Sequence, residues 1–217
     1  MRMRKKKWTE GFIEDHADII WTNPLEHTDE LKVMIEDKPV HIEIGMGKGD
    51  YLLGMCQMYP EEVWIGIEKD RTVAGVAAKK AFETLDESYP RILVGDAERI
   101  EEWFPEHSID VIHLNFSDPW PKKGHHKRRL TYPTFLERYK KLLKEDGKII
   151  LKTDNQGFFE DSLEYFLSNG FVLEDKWLDF RSEEHPEDAI TEYERRFMDL
   201  GQPIYRFIMH HDKINKE

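Results

Sequence analysis

Short apolar runs alternate with longer amphipathic stretches along most of this chain. Runs of four to eight residues that are apolar at most or at alternate positions predict strands, and a 3.6-residue apolar period over a longer stretch predicts a helix. The predicted strands are residues 40–44, 63–68, 91–94, 110–115, 148–153, 171–178 and 204–210. The predicted helices are residues 50–59, 70–88, 97–103, 131–144 and 156–168.

The order of these elements predicts an α/β fold. The first four connections read as crossovers within a parallel sheet that has helices on both faces. The connection from residue 178 to residue 204 is long and acidic, too polar for a crossover helix, so the final strand is expected to pair antiparallel at the sheet edge. Seven mostly parallel strands with the last one antiparallel favour the Rossmann-like class I S-adenosylmethionine-dependent methyltransferase fold over a dinucleotide-binding sheet.

Length and composition narrow the class of protein. The 217 residues predict a single domain, with a basic and flexible extension at residues 1–24 and an acidic insertion on the substrate side at residues 179–200. The single cysteine, Cys56, excludes an intramolecular disulfide and makes a structural metal site unexpected. No apolar run has the length of a signal peptide core or a membrane span. We expect a cytoplasmic protein without a bound metal or a membrane anchor, either a monomer or a homodimer.

The charge is unevenly distributed. A net charge of −12 argues against a polyanionic partner at long range. Two compact cationic clusters oppose this: residues 2–7 at the start, and residues 122–129, which we call the basic run. Each cluster either binds phosphates or is a solvated surface loop, and composition does not decide between the two.

A glycine-rich turn follows the first predicted strand. Gly45, Gly47 and Gly49 lie between that strand and a predicted helix, which is where open α/β sheets bind adenosine-containing ligands. A dinucleotide fingerprint requires its third glycine at position 50, which is Asp50 here. The spacing therefore argues against a dinucleotide, although the same pattern also occurs in ordinary tight turns.

Carboxylates mark the ends of the neighbouring strands. Glu68 ends the second strand, where it can accept hydrogen bonds from ribose hydroxyls, and Asp96 follows the third, where it can accept from an adenine amino group. Asp96 is equally suited to cap a helix. Together with Glu43 and Asp118, these residues are expected to make one sheet edge strongly acidic, which suits a sulfonium cation better than a pyrophosphate. The predicted ligand is S-adenosylmethionine.

The fourth predicted strand leads into residues 116–121, which we call the Asp118 loop. Two prolines stiffen the backbone around Trp120, so a carboxylate acceptor and a flat aromatic face are held close together along the chain. A nucleobase uses both features, because stacking and hydrogen bonding to its edge are the two ways proteins recognise unpaired bases. The basic run follows directly, so RNA is the expected substrate class.

Five segments carry a resemblance to a known family. They are residues 115–123, 126–130, 152–155, 191–194 and 201–206. These segments, together with the Met-Arg-x-Arg start, resemble the bacterial tRNA (guanine-N7)-methyltransferase family (TrmB-like) over nearly the whole chain. The resemblance implies transfer of a methyl group from S-adenosylmethionine to N7 of the guanine at position 46 in the variable loop of tRNA.

The resemblance also implies roles for individual residues. Asp118 is implied as the active-site residue. The implied cofactor contacts are Glu43, Glu68, Asp96 and Asp118. The implied substrate contacts are Lys122, Asp154, Thr191, Glu192, Tyr193 and Glu194. The implied RNA-binding residues are Gly124, His125, His126, Lys127, Arg128 and Arg129. The family pattern has a basic residue where this chain has Gly124, a departure that bears on affinity only.

Guanine N7 chemistry agrees with the absence of a nucleophile–base constellation in the sequence. N7 has an exposed lone pair and no proton, so the enzyme has to position the base and needs no general base. His125 and His126 are accordingly expected to contact phosphate or solvent. Two alternatives stay open: methylation of another RNA base atom, such as an exocyclic amine, and a non-catalytic RNA-binding protein with a methyltransferase-like fold.

Overall fold

The computed structural model describes residues 4–86 and 88–211. Arg2 of the first cationic cluster and the tail after His211 lie outside the described residues. The described chain forms two compact units: one contains residues up to Pro105 together with Glu187–Thr191, and the other contains Glu106–Pro186 and the residues from Glu192 onward. The predicted single domain stays a prediction.

The first unit is built on four parallel strands. They are β1 (Ile20–Trp21), β2 (Val40–Ile44), β3 (Val63–Glu68) and β4 (Arg91–Val94), in the order β1-β4-β3-β2. Ile42 of β2 and Ile65 of β3 have no exposed surface, and five consecutive residues of β3 are buried. Such continuous burial is typical of a parallel strand that is covered on both faces.

Four helices accompany these strands. They are α1 (Trp8–Asp15), α2 (Thr28–Met34), α3 (Asp50–Met58) and α4 (Arg71–Thr84), with 3₁₀ helices at Pro24–His27 and Ala97–Glu102. Asp70 caps α4 by accepting hydrogen bonds from the backbone N–H groups of Thr72 and Val73 at 2.9 and 3.2 Å. The cap fixes the start of α4 directly after β3.

The structure differs from the predicted flexible extension over residues 8–21. Thr9 and Ile13 of α1 are buried, and α1 packs on α4. Gly75 allows the close approach, because a Cβ atom there would lie 2.8 Å from Cβ of Thr9. Beyond α1, β1 pairs with β4, so this part of the extension is held by tertiary contacts that a local pattern does not show.

Over residues 106–186 and 192–211, the second unit contains four strands and three helices. The strands are β5 (Ile109–Asn115), β6 (Leu143–Thr153), β7 (Phe171–Trp177) and β8 (Tyr205–His211), in the order β5-β6-β8-β7. The helices are α5 (Pro133–Leu142), α6 (Gln156–Ser168) and α7 (Glu192–Asp199), with 3₁₀ helices at Lys123–Arg128 and Phe180–Ser182. β5 and β6 are parallel, and β8 is antiparallel to both of its neighbours.

The α/β architecture and the antiparallel final strand are confirmed, with two corrections. The described residues contain eight strands and not seven, because β1 has only two residues and its apolar run, residues 19–21, is shorter than the runs that predict a strand. The final strand is not at the edge: β8 lies between β6 and β7, and β7 takes the edge position of this unit. In residues 4–86 and 88–211, no helix combines the length and apolar character needed to cross a lipid bilayer.

Candidate active site

The glycine turn at the end of β2 adopts a backbone that favours glycine. Gly45, Gly47 and Gly49 have φ values of 77°, 56° and 78°, in the left-handed region that residues with a Cβ atom rarely adopt. The turn is tied to the neighbouring strand because the N–H of Gly45 donates to the carbonyl of Ile67 at 2.8 Å. Gly49 then begins α3 as its N-cap. The backbone amides of this turn are accordingly fixed at the carboxyl end of β2.

Glu68 connects the end of β3 to this turn. Its Oε2 accepts a hydrogen bond from the N–H of Gly47 at 3.2 Å, and its Oε1 accepts one from the N–H of Asp70 at 2.9 Å. Burial raises the pKa of the Glu68 carboxyl above its ordinary value, while the hydrogen bonds from Asp70 and Gly47 oppose that rise. Each carboxylate oxygen has two lone pairs, so Glu68 keeps the capacity to accept further hydrogen bonds from a ligand.

Glu43 and Asp96 complete the predicted cofactor residues of this unit. Glu43 lies on β2 two residues before Gly45, and only 3% of its surface is exposed. Asp96 follows β4, is exposed, and accepts a hydrogen bond from the N–H of Glu98 at 3.1 Å as the N-cap of a 3₁₀ helix. The capping role and the predicted adenine contact are compatible, because one carboxylate can accept several hydrogen bonds.

In the second unit, the Asp118 loop begins where β5 ends. The N–H of Phe116 donates to the carbonyl of Lys152 at 2.8 Å, which ties the start of the loop to β6. Phe116 and Trp120 have φ values of 51° and 39°, an unfavourable conformation for residues other than glycine. Asp118 lies between these two residues and is exposed. The loop therefore holds Asp118 on a strained but anchored backbone.

Three residues predicted to contact substrate or act in catalysis, Asp118, Asp154 and Tyr193, belong to the second unit and influence one another there. The rings of Phe116 and Tyr193 meet edge to face with centroids 5.1 Å apart. The pKa of the Tyr193 hydroxyl is raised by burial first and by the negative charges of Asp154 and Asp118, although Arg196 lowers it. Burial also raises the pKa of the Asp154 carboxyl. The negative charges of Asp118 and Asp154 thus both raise the pKa of one half-exposed tyrosine.

Glu194 has a different environment from the other predicted substrate residues. Its side chain has no exposed surface, and its two carboxylate oxygens accept from different cations. The Nε of Arg181 lies 2.6 Å from Oε1, and the Nζ of Lys152 lies 3.2 Å from Oε2. This buried cluster fixes the start of α7, the helix that also carries Tyr193.

The two remaining residues of the predicted Thr191–Glu194 contact differ in exposure. Thr191 is buried, with 8% of its surface exposed, and belongs to the segment Glu187–Thr191 of the first unit. That segment contacts α3, where the hydroxyl of Tyr51 donates to Asp188 at 3.1 Å. Glu192 is exposed at the start of α7.

The basic run forms a 3₁₀ helix at Lys123–Arg128. The exposed members of the run are Lys122, Lys123, Gly124, Lys127 and Arg128. The guanidinium of Arg128 lies 5.0 Å from the centroid of the Trp120 ring, and the ring of His125 meets Trp120 edge-on. Arg129 differs, because its side chain is only 3% exposed.

Sequence reasoning missed several residues that support these groups. They are Phe116, Lys152, Asp161 and Arg181. A signal was available for Lys152, since it directly follows the apolar run of residues 149–151, and a charged residue next to a buried run needs a partner if it is buried as well. Asp161 and Arg181 carried no such signal, because their partners are fixed by the tertiary structure.

Comparisons with known proteins identify the family. A family model described as "Putative methyltransferase" matches residues 37–207. A tRNA (guanine-N(7)-)-methyltransferase of Limosilactobacillus reuteri (strain DSM 20016) is 43% identical over 212 residues, which cover 96% of this chain and 98% of the relative. A protein of the same name from Streptococcus agalactiae serotype III (strain NEM316) is 41% identical over 207 residues, which cover 95% of this chain and 98% of the relative.

Solved structures with much lower sequence identity share the fold. A structure titled as an antibiotic-related methyltransferase superposes with a TM-score of 0.62 at 16% identity, and the match covers 85% of this chain and 94% of that one. A mutant 16S rRNA (adenine(1408)-N(1))-methyltransferase from Catenulisporales acidiphilia, solved with its cosubstrate SAM, gives a TM-score of 0.60 at 13% identity, covering 88% and 94%. These matches confirm the class I methyltransferase fold. With the near-complete matches to the curated relatives, they establish that this chain belongs to the tRNA (guanine-N(7)-)-methyltransferase family.

Proposed function

We propose that this protein transfers the methyl group of S-adenosylmethionine to N7 of a guanine in tRNA, at position 46 of the variable loop. The observation that carries the proposal is the 43% identity to a tRNA (guanine-N(7)-)-methyltransferase across 96% of the chain. The candidate cofactor residues of the first unit and the candidate substrate residues of the second unit are each chemically compatible with this reaction. We also propose that the protein acts in the cytoplasm, where tRNA is modified.

The residues of the first unit fit the cofactor. The left-handed glycine turn lets a ligand approach the backbone closely, because Gly45, Gly47 and Gly49 carry no Cβ atom. Glu43 and Glu68 add carboxylates at the ends of β2 and β3. When bound, S-adenosylmethionine supplies a methyl group activated by a positively charged sulfur. The carboxylates favour a cation at this position, and Glu68 can accept from ribose hydroxyls while it holds the turn.

The residues of the second unit fit a guanine that becomes cationic. Guanine carries N–H donors on its Watson–Crick edge, and Asp118 or Asp154 can accept from them. Burial makes the charged form of the Asp154 carboxyl less stable, so a positive charge developing on the base offsets that cost as N7 is methylated. Tyr193 offers a partly exposed ring for stacking. No proton has to leave N7, so these residues act by orientation and charge.

The direct test is transfer of labelled methyl from S-adenosylmethionine to unmodified tRNA, followed by nucleoside analysis. We expect the label in 7-methylguanosine, and we expect none in a tRNA whose guanine at position 46 is replaced by adenine. Label in another nucleoside would replace the proposal with a different acceptor, and a pH–rate profile with a rising limb would indicate that an amine must lose a proton first. Calorimetry without S-adenosylmethionine binding would favour a non-catalytic RNA-binding protein.

Removing the Glu68 carboxylate is expected to weaken cofactor binding. Glu68→Ala should raise the dissociation constant for S-adenosylmethionine by about 5- to 150-fold, equivalent to about 1–3 kcal/mol for a lost charge-assisted hydrogen bond and a loosened glycine turn. Affinity for tRNA should change less than about twofold. Calorimetric titration of both ligands measures the difference, with the exposed Glu61→Ala as the control. Equal losses for both ligands would mean that Glu68 acts only on the fold.

Removing the exposed cations of the basic run is expected to reduce the salt dependence of tRNA binding. Replacing Lys127 and Arg128 together by alanine should lower the slope of log affinity against log salt by roughly 1.4–1.8, at about 0.7–0.9 per phosphate contact. At physiological salt the Debye length is about 8 Å, so the acidic net charge elsewhere scarcely opposes this local attraction. Affinity for S-adenosylmethionine should stay the same.

The matched control for charge is the double variant Lys32→Ala and Lys38→Ala, which removes two exposed cations of the first unit. Its slope should follow the wild-type protein. If the Lys127 and Arg128 variant also keeps the wild-type slope, the basic run is a solvated surface and the tRNA phosphates bind elsewhere, with the cluster at residues 2–7 as the next candidate.

A further inference from the structure

Arg129 ends the basic run but is not presented to solvent. Only 3% of its side chain is exposed, whereas Lys127 and Arg128 just before it are exposed. A buried guanidinium requires compensating partners, since an unpaired charge inside a protein is very unfavourable. The partners of Arg129 therefore indicate what this cation does.

The guanidinium of Arg129 is directed at the Asp118 loop. Its Nε donates to the carbonyl of Pro119 at 2.7 Å, and its Nη2 lies 3.5 Å from the carbonyl of Trp120. Its Nη1 donates to Oδ2 of Asp161 at 2.6 Å, and its Nη2 donates to Nε2 of His126 at 3.0 Å. All three guanidinium nitrogens thus have partners within the second unit. Asp161 and His126 hold the guanidinium in place, and its remaining hydrogen bonds reach the backbone of the Asp118 loop.

His126 supports the same arrangement. Because its Nε2 accepts from Arg129, the neutral ring carries its hydrogen on Nδ1, which lies 3.0 Å from the hydroxyl of Tyr165 on α6. Asp161 is also on α6. The guanidinium of Arg129 is accordingly anchored to α6 twice, directly by Asp161 and through His126 by Tyr165. From there it reaches the backbone of the Asp118 loop.

The loop needs such support because of its backbone. Phe116 and Trp120 both have positive φ, on either side of Asp118. Non-glycine residues keep such conformations only where surrounding contacts impose them. The hydrogen bond from Arg129 to the carbonyl of Pro119 acts on the peptide group that joins Pro119 to Trp120, one of the two strained residues.

We propose that Arg129 is a positioning residue that holds the Asp118 loop in its reactive conformation, and that it does not bind tRNA phosphate. The exposed cations of the basic run bind the tRNA phosphates. His126 acts together with Arg129 to hold the loop in place. The kinetic part of this assignment rests on the proposed function, because Asp118 is expected to contact the reacting groups.

Asp161→Asn gives the clearest test, because a loop support and a phosphate ligand predict opposite results. As a loop support, Arg129 loses its charged anchor. The kcat for methyl transfer should then fall about tenfold, with KM for tRNA and the salt slope of binding unchanged. As a phosphate ligand, Arg129 would be released from a competing carboxylate. Binding to tRNA would then strengthen, the salt slope would steepen by about 0.7–0.9, and the proposal would be overturned.

Arg129→Lys provides the second variant. Lysine keeps the charge that a phosphate requires, but it lacks the planar fork that spans two carbonyls and a carboxylate. We expect kcat to fall at least tenfold while the salt slope stays at the wild-type value. Unchanged kcat would contradict the positioning role. Arg128→Ala serves as the comparison for a phosphate contact, with an expected fall in slope of about 0.7–0.9.

Hydrogen exchange gives a readout that does not depend on activity. The N–H groups of the non-proline residues in 116–122 should exchange faster in Asp161→Asn and Arg129→Lys than in the wild-type protein, while amides of β5 exchange at the same rate. Equal exchange in the loop would overturn the proposal whatever the kinetics. If the wild-type protein methylated no tRNA, the proposed function would fail, and the exchange measurement would still decide whether Arg129 supports the loop.

Discussion

Replacing Asp118 by alanine is expected to reduce kcat for methyl transfer by at least about 100-fold, the effect of removing one preorganised polar group from a site where charge develops. The free energy of unfolding should change by less than about 0.5 kcal/mol. Asp118 is exposed and forms no hydrogen bond or ion pair with any other described residue, so its removal leaves no buried partner unsatisfied. A large kinetic effect without a stability effect is what a group acting on substrate predicts.

Asp118→Asn separates charge from shape in the same experiment. The amide keeps the size of the side chain and one acceptor oxygen, but it cannot stabilise a purine that becomes cationic at N7. We expect an intermediate kcat for this variant. Asp146→Ala removes another exposed aspartate of the second unit and is the control for loss of one negative charge. Near-normal turnover of Asp118→Ala would remove Asp118 from the active site.

Much of the fold follows from local pattern in the sequence. The predicted bounds of β2 and β3 agree with the structure, because β3 is a nearly continuous apolar run and β2 is apolar at alternate positions. α6 also has its predicted bounds. Asn155 caps it by accepting from the N–H of Phe158 at 2.8 Å, a start signal that is visible in the sequence. Where one side chain or one run defines an element, the sequence is sufficient.

The elements that were missed depend on distant partners. β1 is only two residues long and exists because Ile20 and Trp21 pair with β4. α7 lies within the predicted acidic insertion and has few apolar residues, and the buried Glu194 fixes its start. β1 is too short to show a period of its own. α7 does show a helical period, since Tyr193, Phe197 and Leu200 recur at i, i+4 and i+7, and it was missed because the whole segment was judged too polar for a helix.

In the candidate site, too, some features were recognisable from the sequence and others were not. The glycine turn and the Asp118 loop were recognisable from spacing, because glycine and proline restrict the backbone locally. The burial of Arg129 was not recognisable, since its partner Asp161 is 32 residues away and every cation in the basic run looks alike in sequence. The members of a charged run therefore have to be assigned separate roles once the structure shows which of them are buried.

Glu194→Ala is expected to destabilise the fold strongly. The substitution removes the carboxylate that accepts from both Lys152 and Arg181, whose charges stay buried. Breaking a buried ion pair from one side costs about 3–5 kcal/mol, which corresponds to a fall in Tm of roughly 6–20 °C for a protein of this size. Thermal and urea unfolding measure the change, and the exposed Glu164→Ala on α6 is the control for loss of one glutamate.

The outcome also tests the predicted contact between Glu194 and the substrate. A carboxylate with no exposed surface and two cationic partners does not reach a base in this arrangement, so its effect on turnover should follow from the loosened start of α7 and the displaced Tyr193. Glu194→Gln keeps the volume and one acceptor, and it should recover much of the stability and the activity together. If Glu194→Ala instead kept the wild-type Tm and lost turnover, Glu194 would contact guanine directly, and the buried cluster would have to open when tRNA binds.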